Sequence, residues 1–88
     1  GPEARVKNSL LADGCCVEGS IENCVLFRGV HVGAGSELKN CIIMQAGDVR
    51  ENCALDYVVL DKGVTVRAGR KLAGYESFPI IIRKGSTI

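Results

Sequence analysis

Aliphatic residues recur along this chain in a fixed rhythm. Ile21, Leu26, Val32, Leu38, Ile43, Val49, Leu55, Leu60, Val66 and Leu72 are separated by 5, 6 and 6 residues, three times over. The hexads Ile21-Glu22-Asn23-Cys24-Val25-Leu26, Leu38-Lys39-Asn40-Cys41-Ile42-Ile43 and Leu55-Asp56-Tyr57-Val58-Val59-Leu60 align at an offset of 17. Upstream, Val6, Leu11 and Val17 continue with gaps of 5, 6 and then 4 into Ile21, so the first coil is shorter by two residues. A helix would space its apolar residues by three and four. A hairpin meander would alternate at two and be joined by turn dipeptides such as Asn-Gly, and no Asn-Gly occurs. Three steps of five or six residues per repeat predict three short strands around a triangular coil. Successive coils stack as parallel strands about 4.8 Å apart. The fold class read from the rhythm is all-β: a hexapeptide-repeat parallel β-helix of about four triangular coils.

Side chains alternate along a strand, so the residue two before each aliphatic also points inward. Those residues are Cys24, Val30, Ser36, Cys41, Gly47, Cys53, Val58 and Val64, all small or β-branched, as a narrow interior requires. Cys15 falls in the same class, and Cys16 alone should face out. Five cysteines in 88 residues, without Cys-x-x-Cys spacing, are therefore read as reduced thiols, most of them core filler, rather than as a disulfide scaffold or zinc ribbon. Turns are placed at Asp13-Gly14, Arg28-Gly29, Gly33-Ala34-Gly35, Gly47, Lys62-Gly63 and Gly69. Gly1-Pro2 reads as an expression-tag scar, residues 3–72 as β-helix coils, and 73–88 as an end cap whose last strand is Ile80-Ile81-Ile82.

The outward residues separate into three faces. One carries Leu10, Val25, Ile42 and Val59 beside Ala12, Phe27, Met44 and Asp61; seven of these eight are apolar. The others carry Cys16, His31, Asp48 and Thr65 beside Glu18, Gly33, Arg50 and Arg67, and Ser20, Glu37, Ala54 and Lys71 beside Glu22, Lys39, Asp56 and Ala73. A continuous apolar stripe marks a contact surface for another domain or subunit. Its expected members are Leu10, Val25, Phe27, Ile42, Met44 and Val59.

Chemistry is sparse. A net charge of +1 gives no electrostatic footprint for nucleic acid or an anionic membrane. Aromatics at 5% with no Trp leave no stacking platform for single strands. His31 is the one histidine, so no His cluster can hold a catalytic zinc, and no metal site is expected. No carboxylate is evident in the sequence to orient His31 as a general base. No Ser/His/Asp set or phosphate loop is discernible, so no catalytic residue is assigned. Arg67, Arg70, Lys71, Arg83 and Lys84 give basic density near the C-terminus that could hold an anion.

The strings Asn8-Ser9-Leu10-Leu11-Ala12-Asp13-Gly14-Cys15, Glu22-Asn23-Cys24-Val25-Leu26-Phe27-Arg28-Gly29-Val30-His31-Val32-Gly33 and Lys39-Asn40-Cys41-Ile42-Ile43-Met44-Gln45 resemble the C-terminal domain of bacterial ADP-glucose pyrophosphorylase, also called glucose-1-phosphate adenylyltransferase. Leu55–Lys62 and Phe78–Gly85 look more like its regulatory-type subunit. The resemblance covers essentially residues 3–88 and implies a left-handed coil. It also implies a parent with an N-terminal nucleotidyltransferase domain, which would make ADP-glucose from ATP and glucose 1-phosphate with Mg²⁺ for glycogen synthesis in the cytoplasm. The present chain would then be the non-catalytic domain that packs on the N-terminal one, helps build a homo- or hetero-tetramer and takes part in allosteric control. It would need no cofactor of its own. Arg83 and Lys84 match a region where the family places cations that contact sugar-phosphate or adenylate effectors. The alternatives are the hexapeptide domain of another sugar-nucleotide pyrophosphorylase and, further off, a trimeric hexapeptide acyltransferase with His31 as base.

Overall fold

Strands of two or three residues, each ending in a turn, can satisfy their backbone groups only by pairing with the coils before and after them. The computed structural model describes residues 5–88, so the Gly1-Pro2 reading lies outside the described residues. Its strands are β1 (Arg5–Lys7), β2 (Leu10–Leu11), β3 (Cys16–Val17), β4 (Ser20–Glu22), β5 (Val25–Leu26), β6 (His31–Val32), β7 (Glu37–Lys39), β8 (Ile42–Ile43), β9 (Asp48–Val49), β10 (Ala54–Asp56), β11 (Val58–Leu60), β12 (Thr65–Val66), β13 (Lys71–Ala73) and β14 (Ile80–Ile82). They form three sheets: sheet A in the order β1-β4-β7-β10-β13, sheet B in the order β14-β11-β8-β5-β2, and sheet C in the order β12-β9-β6-β3. Every strand pair is parallel. The molecule is a three-sided β-solenoid of about four turns, as the rhythm predicts.

Register follows the spacing of the repeat. Ile21 pairs with Leu38 and Leu38 with Leu55, each 17 residues on. In the first coil the offset is 15, pairing Leu11 with Leu26 and Val17 with Val32. The missing two residues come out of the corner at Gly19. A β-carbon there would collide with the Ser36 carbonyl oxygen and come within 2.8 Å of that of Gly33. Only glycine lets this tightened corner pass under the next coil.

Both inward columns are present. Ile21, Leu26, Val32, Leu38, Ile43, Val49, Leu55, Leu60 and Val66 are at most 2% exposed. Cys24, Val30, Ser36, Cys41, Gly47, Cys53, Val58 and Val64 are all buried as well. The expectation that Leu11 is core fails, because it is 43% exposed. Its strand, β2, is the last of sheet B among the described residues, so no further rung covers it. Val17 and Leu72, on outermost strands of the other sheets, are half-buried for the same reason. Polar atoms inside are satisfied. Ser36 Oγ donates to the Arg50 carbonyl at 2.6 Å and accepts from the Cys53 amide at 3.0 Å. Buried Cys24, Cys41 and Cys53 donate their S–H groups to carbonyls of Glu22, Lys39 and Arg67 at 3.2, 3.1 and 3.2 Å. The neighbouring Cys24 sulfur, reinforced by burial, pushes the Cys41 thiol well above its ordinary pKa.

In the first four coils the corner between sheets A and B contains no glycine. Its turning residues are Asn8, Asn23, Asn40 and Tyr57, with φ of 49°, 55°, 54° and 53°. Asparagine tolerates this left-handed conformation better than most residues. Here its amide also pairs up the stack: Asn8 Nδ2 donates to Asn23 Oδ1, Asn23 Nδ2 to Asn40 Oδ1 at 3.3 Å, and Asn40 Nδ2 to Asp56 Oδ1 at 3.2 Å.

After Leu72 the rhythm is interrupted rather than ended. Gly74–Pro79 adds five residues, folded into a small excursion in which Tyr75 and Phe78 exchange backbone hydrogen bonds of 3.2 and 2.9 Å. The coil then resumes. Ile80 pairs with Val58 and Ile82 with Leu60, and Thr87 bridges to Thr65. Ile80, Ile82 and Ile88 pack on the core.

Ile43→Ala, in the middle of the inward column, is expected to cost about 2–5 kcal/mol. Leu11→Ala, already half in water, should cost about 1 kcal/mol. Urea denaturation of the two variants measures the difference. Thiol labelling of the native chain should reach exposed Cys16 before half-buried Cys15 and the buried Cys24, Cys41 and Cys53.

Candidate functional site

Because each outward residue lies over its counterpart in the next coil, the outer faces are columns, and chemistry on them is set by what stacks on what. On sheet B, register joins Leu10 to Val25, Val25 to Ile42, Ile42 to Val59 and Val59 to Ile81. Beside this column run Phe27 and Met44. All six sequence-predicted interface residues are thus on one face. Leu10 is 71% exposed, Phe27 45% and Ile42 39%, while Val25, Met44 and Val59 are half-buried. Ile81, 69% exposed, extends the stripe by a fifth rung. The sequence reading missed it because the Gly74–Pro79 insertion hides its register. At the Leu10 end, Leu10, Leu11, Val25 and Phe27 frame a shallow apolar recess of about 290 Å³. Asp61, the polar exception, accepts a hydrogen bond from the Lys62 amide at 2.7 Å.

Sheet C holds the ionisable cluster. Register stacks Cys16 on His31 and His31 on Asp48. His31 Nδ1 lies 2.9 Å from Asp48 Oδ1 and its Nε2 lies 3.1 Å from Glu18 Oε1. Arg50 Nε donates to the other Asp48 oxygen at 2.8 Å. The expectation that His31 lacks an orienting carboxylate is therefore wrong: it has two. The signal was in the sequence, since Asp48 lies one 17-residue repeat after His31. Gly33 follows Val32 in the column between Glu18 and Arg50. A β-carbon at Gly33 would approach the Arg50 carbonyl carbon to 2.7 Å. With no side chain there, nothing from that position separates Glu18 and Arg50 from the imidazole and Asp48.

Hydrogen bonding to Asp48, then to Glu18, holds the His31 pKa above its ordinary 6.5, against a smaller opposing effect of burial. Partial burial pushes Asp48 upward, but hydrogen bonds from His31 and Arg50 outweigh it and leave the carboxyl below its ordinary 3.8. With both ring nitrogens facing carboxylate oxygens, His31 has no free lone pair to serve as a general base.

The predicted effector cations Arg83 and Lys84 are exposed in the turn after β14. The Gly85 amide donates to the Lys62 carbonyl at 2.9 Å, which sets this turn on the Lys62-Gly63 turn below. The structure thus gathers Lys62, Arg83 and Lys84 at one corner. Arg67 follows β12 of sheet C, donating to the Ile88 carbonyl at 3.3 Å, and Lys71 lies on sheet A, so neither joins them. Sheet A carries a shallow groove of about 310 Å³ lined by Glu37, Lys39, Asp56 and Lys71 among others. No helix among the described residues is long and apolar enough to cross a membrane.

Comparison with known proteins gives concordant findings. Residues 1–77 match the family described as GlmU-like, C-terminal hexapeptide. The chain is 51% identical over 85 residues to the glycogen biosynthesis protein GlgD of Bacillus subtilis (strain 168), covering 97% of this chain and 25% of that protein. It is 34% identical over 79 residues to the glucose-1-phosphate adenylyltransferase of Acetivibrio thermocellus, covering 90% of this chain and 18% of the relative. A glucose-1-phosphate adenylyltransferase of Clostridium perfringens (strain SM101 / Type A) is 50% identical over 44 residues, half of this chain and 11% of the relative. The chain thus spans a quarter or less of the length of these relatives.

The ion cluster makes stability pH-dependent in a definite direction. His31, its pKa raised, contributes stability fully below its unfolded pKa, near 6.5, and loses it as pH rises through the higher folded value. Asp48, its pKa lowered, contributes above 3.8 and loses it as pH falls through the lower folded value. In Asp48→Asn, the imidazole titration followed by NMR should move back toward 6.5.

Proposed function

Because the chain belongs to the GlmU-like C-terminal hexapeptide family, we propose that it is the non-catalytic assembly and regulatory domain of a glucose-1-phosphate adenylyltransferase-type protein of glycogen synthesis. The observation that carries this reading is the apolar stripe on sheet B. Five rungs of Leu, Val and Ile, flanked by Phe27 and Met44, stand uncovered on a chain that spans 25% of the length of the GlgD relative. A stripe of that length is a contact surface. Its partner in this reading is the protein's own N-terminal nucleotidyltransferase domain or a neighbouring subunit of a tetramer.

The transfer of the adenylyl group, with ATP and Mg²⁺, belongs to that N-terminal domain, and the assembly works in the cytoplasm. Lys62, Arg83 and Lys84 at the corner beside sheet B supply positive charge for an anionic sugar-phosphate or adenylate effector. The acyltransferase alternative is disfavoured by His31, whose two ring nitrogens are both engaged by carboxylates.

Burying each large aliphatic side chain of the stripe contributes about 1.5–3 kcal/mol before ordering costs. The 88-residue chain alone should therefore self-associate through sheet B, and Phe27→Glu with Ile42→Lys should make it more monomeric without disturbing the inward columns. Sedimentation of both forms is the test, and identical sedimentation would count against the stripe as an interface. The chain alone should also turn over neither ATP with glucose 1-phosphate nor acetyl-CoA.

A further inference from the structure

The ligand-bearing atoms of Cys16, Glu18 and His31 all lie within 4.8 Å of one another on the outer face of sheet C. We propose that these three side chains bind one zinc ion, with water in the fourth position. Three features of the geometry support this.

The donors are a thiolate, a carboxylate and an imidazole nitrogen. This mixed sulfur, oxygen and nitrogen set is one zinc accepts, whereas magnesium and calcium favour oxygen alone. Its formal charge, −2 when Cys16 and Glu18 are ionised and His31 is neutral, matches a divalent cation.

The imidazole is already oriented for ligation. Asp48 engages Nδ1 at 2.9 Å, and Arg50 holds Asp48 through its second oxygen at 2.8 Å. A carboxylate behind the ring fixes the tautomer that presents Nε2, the arrangement that backs most metal-bound histidines. Nε2 itself lies 3.1 Å from Glu18 Oε1. Zinc would replace the proton shared there, and binding would release that proton and the Cys16 thiol proton to solvent.

The backbone places the donors on a rigid frame. Cys16 and His31 are register partners on adjacent rungs, and Glu18 follows Cys16 by two residues on the same face. The 15-residue offset of the first coil sets this pairing, so the ligands have none of the short Cys-x-x-Cys or His-x-x-x-His spacings by which zinc sites are read from sequence. The Cys16–His31–Glu18 side is open to water, which leaves room for a fourth ligand.

The proposal does not depend on the role assigned to sheet B, and its test uses the reduced, metal-free 88-residue chain with Co²⁺ and Zn²⁺ as probes. Co²⁺ should bind one per chain, with a thiolate-to-cobalt charge-transfer band and tetrahedral d–d absorption. Zn²⁺ should abolish both, and excess Mg²⁺ should not. Cys16→Ser should remove the charge-transfer band and His31→Ala should weaken binding. Asp48→Asn, which touches no metal, should weaken Zn²⁺ binding about 10–100-fold. Thermal melts without metal check that the variants fold; Cys16 is exposed, so its serine variant retains the core. The proposal is overturned if the wild-type chain gives no charge-transfer band, if the band survives Cys16→Ser, or if binding is indifferent to His31→Ala.

Discussion

The structure depends on one constraint: each coil is hydrogen-bonded in parallel register to the next, so every residue has a fixed neighbour above and below it. Strands of two or three residues have no independent stability and hold their shape only through that stacking. Once register is fixed, the chain becomes a set of columns. Inward columns must be aliphatic or small, corner columns must turn, and outward columns are free to differ. The Cys24–Cys41 contact, the asparagine ladder and the His31–Asp48 pair all follow from one geometric fact applied to different columns.

The same constraint makes the ends of the stack its weak places. An interior rung is covered twice and an end rung once, which is why Leu11 is exposed although Leu26, its register partner, is buried. At the other end the chain lays Ile80–Ile82 over Val58–Leu60 and brings Ile88 against the core. To get there it makes the Gly74–Pro79 excursion. Gly74 is needed at its base, since a β-carbon would sit 2.6 Å from the Tyr57 carbonyl oxygen. Tyr57 itself holds the left-handed corner that asparagine fills in the three coils before it.

How much of this was legible follows from the same columns. The inward pattern was plain because it repeats one residue class at one interval, and Val32, Leu38 and Val49 are fully or almost fully buried as that pattern requires. The apolar stripe was legible for the same reason, up to Val59. Ile81 was hidden by the five-residue insertion, which breaks an interval without breaking the coil. The His31 cluster was half legible: the repeat places Cys16, His31 and Asp48 in one column beside Glu18 and Arg50, but the contacts of His31 with Asp48 and Glu18 depend on side-chain directions that spacing alone does not give. The asparagine corner lies outside the turns read from the sequence, each of which contains a glycine; here asparagine takes the left-handed conformation and its amide pairs with the next coil.

The three outer faces differ in what they can recognise. Sheet B presents aliphatic side chains with nothing charged along its central column, so any contact there would be driven by removal of surface from water, with no charge–charge attraction for salt to screen. Sheet C presents an exposed thiol beside an imidazole held by two carboxylates, a surface whose charge depends on pH. On sheet A, Glu22, Lys39 and Asp56 alternate in sign up one column, which favours stacking of neighbouring rungs and gives a partner no single-sign field to follow. Because backbone hydrogen bonds between coils and the inward columns hold the stack together, most outward side chains of one face can change without disturbing the other faces. A solenoid of this size can therefore dock a partner on one side and hold an unrelated group on another, with the same short backbone positioning both.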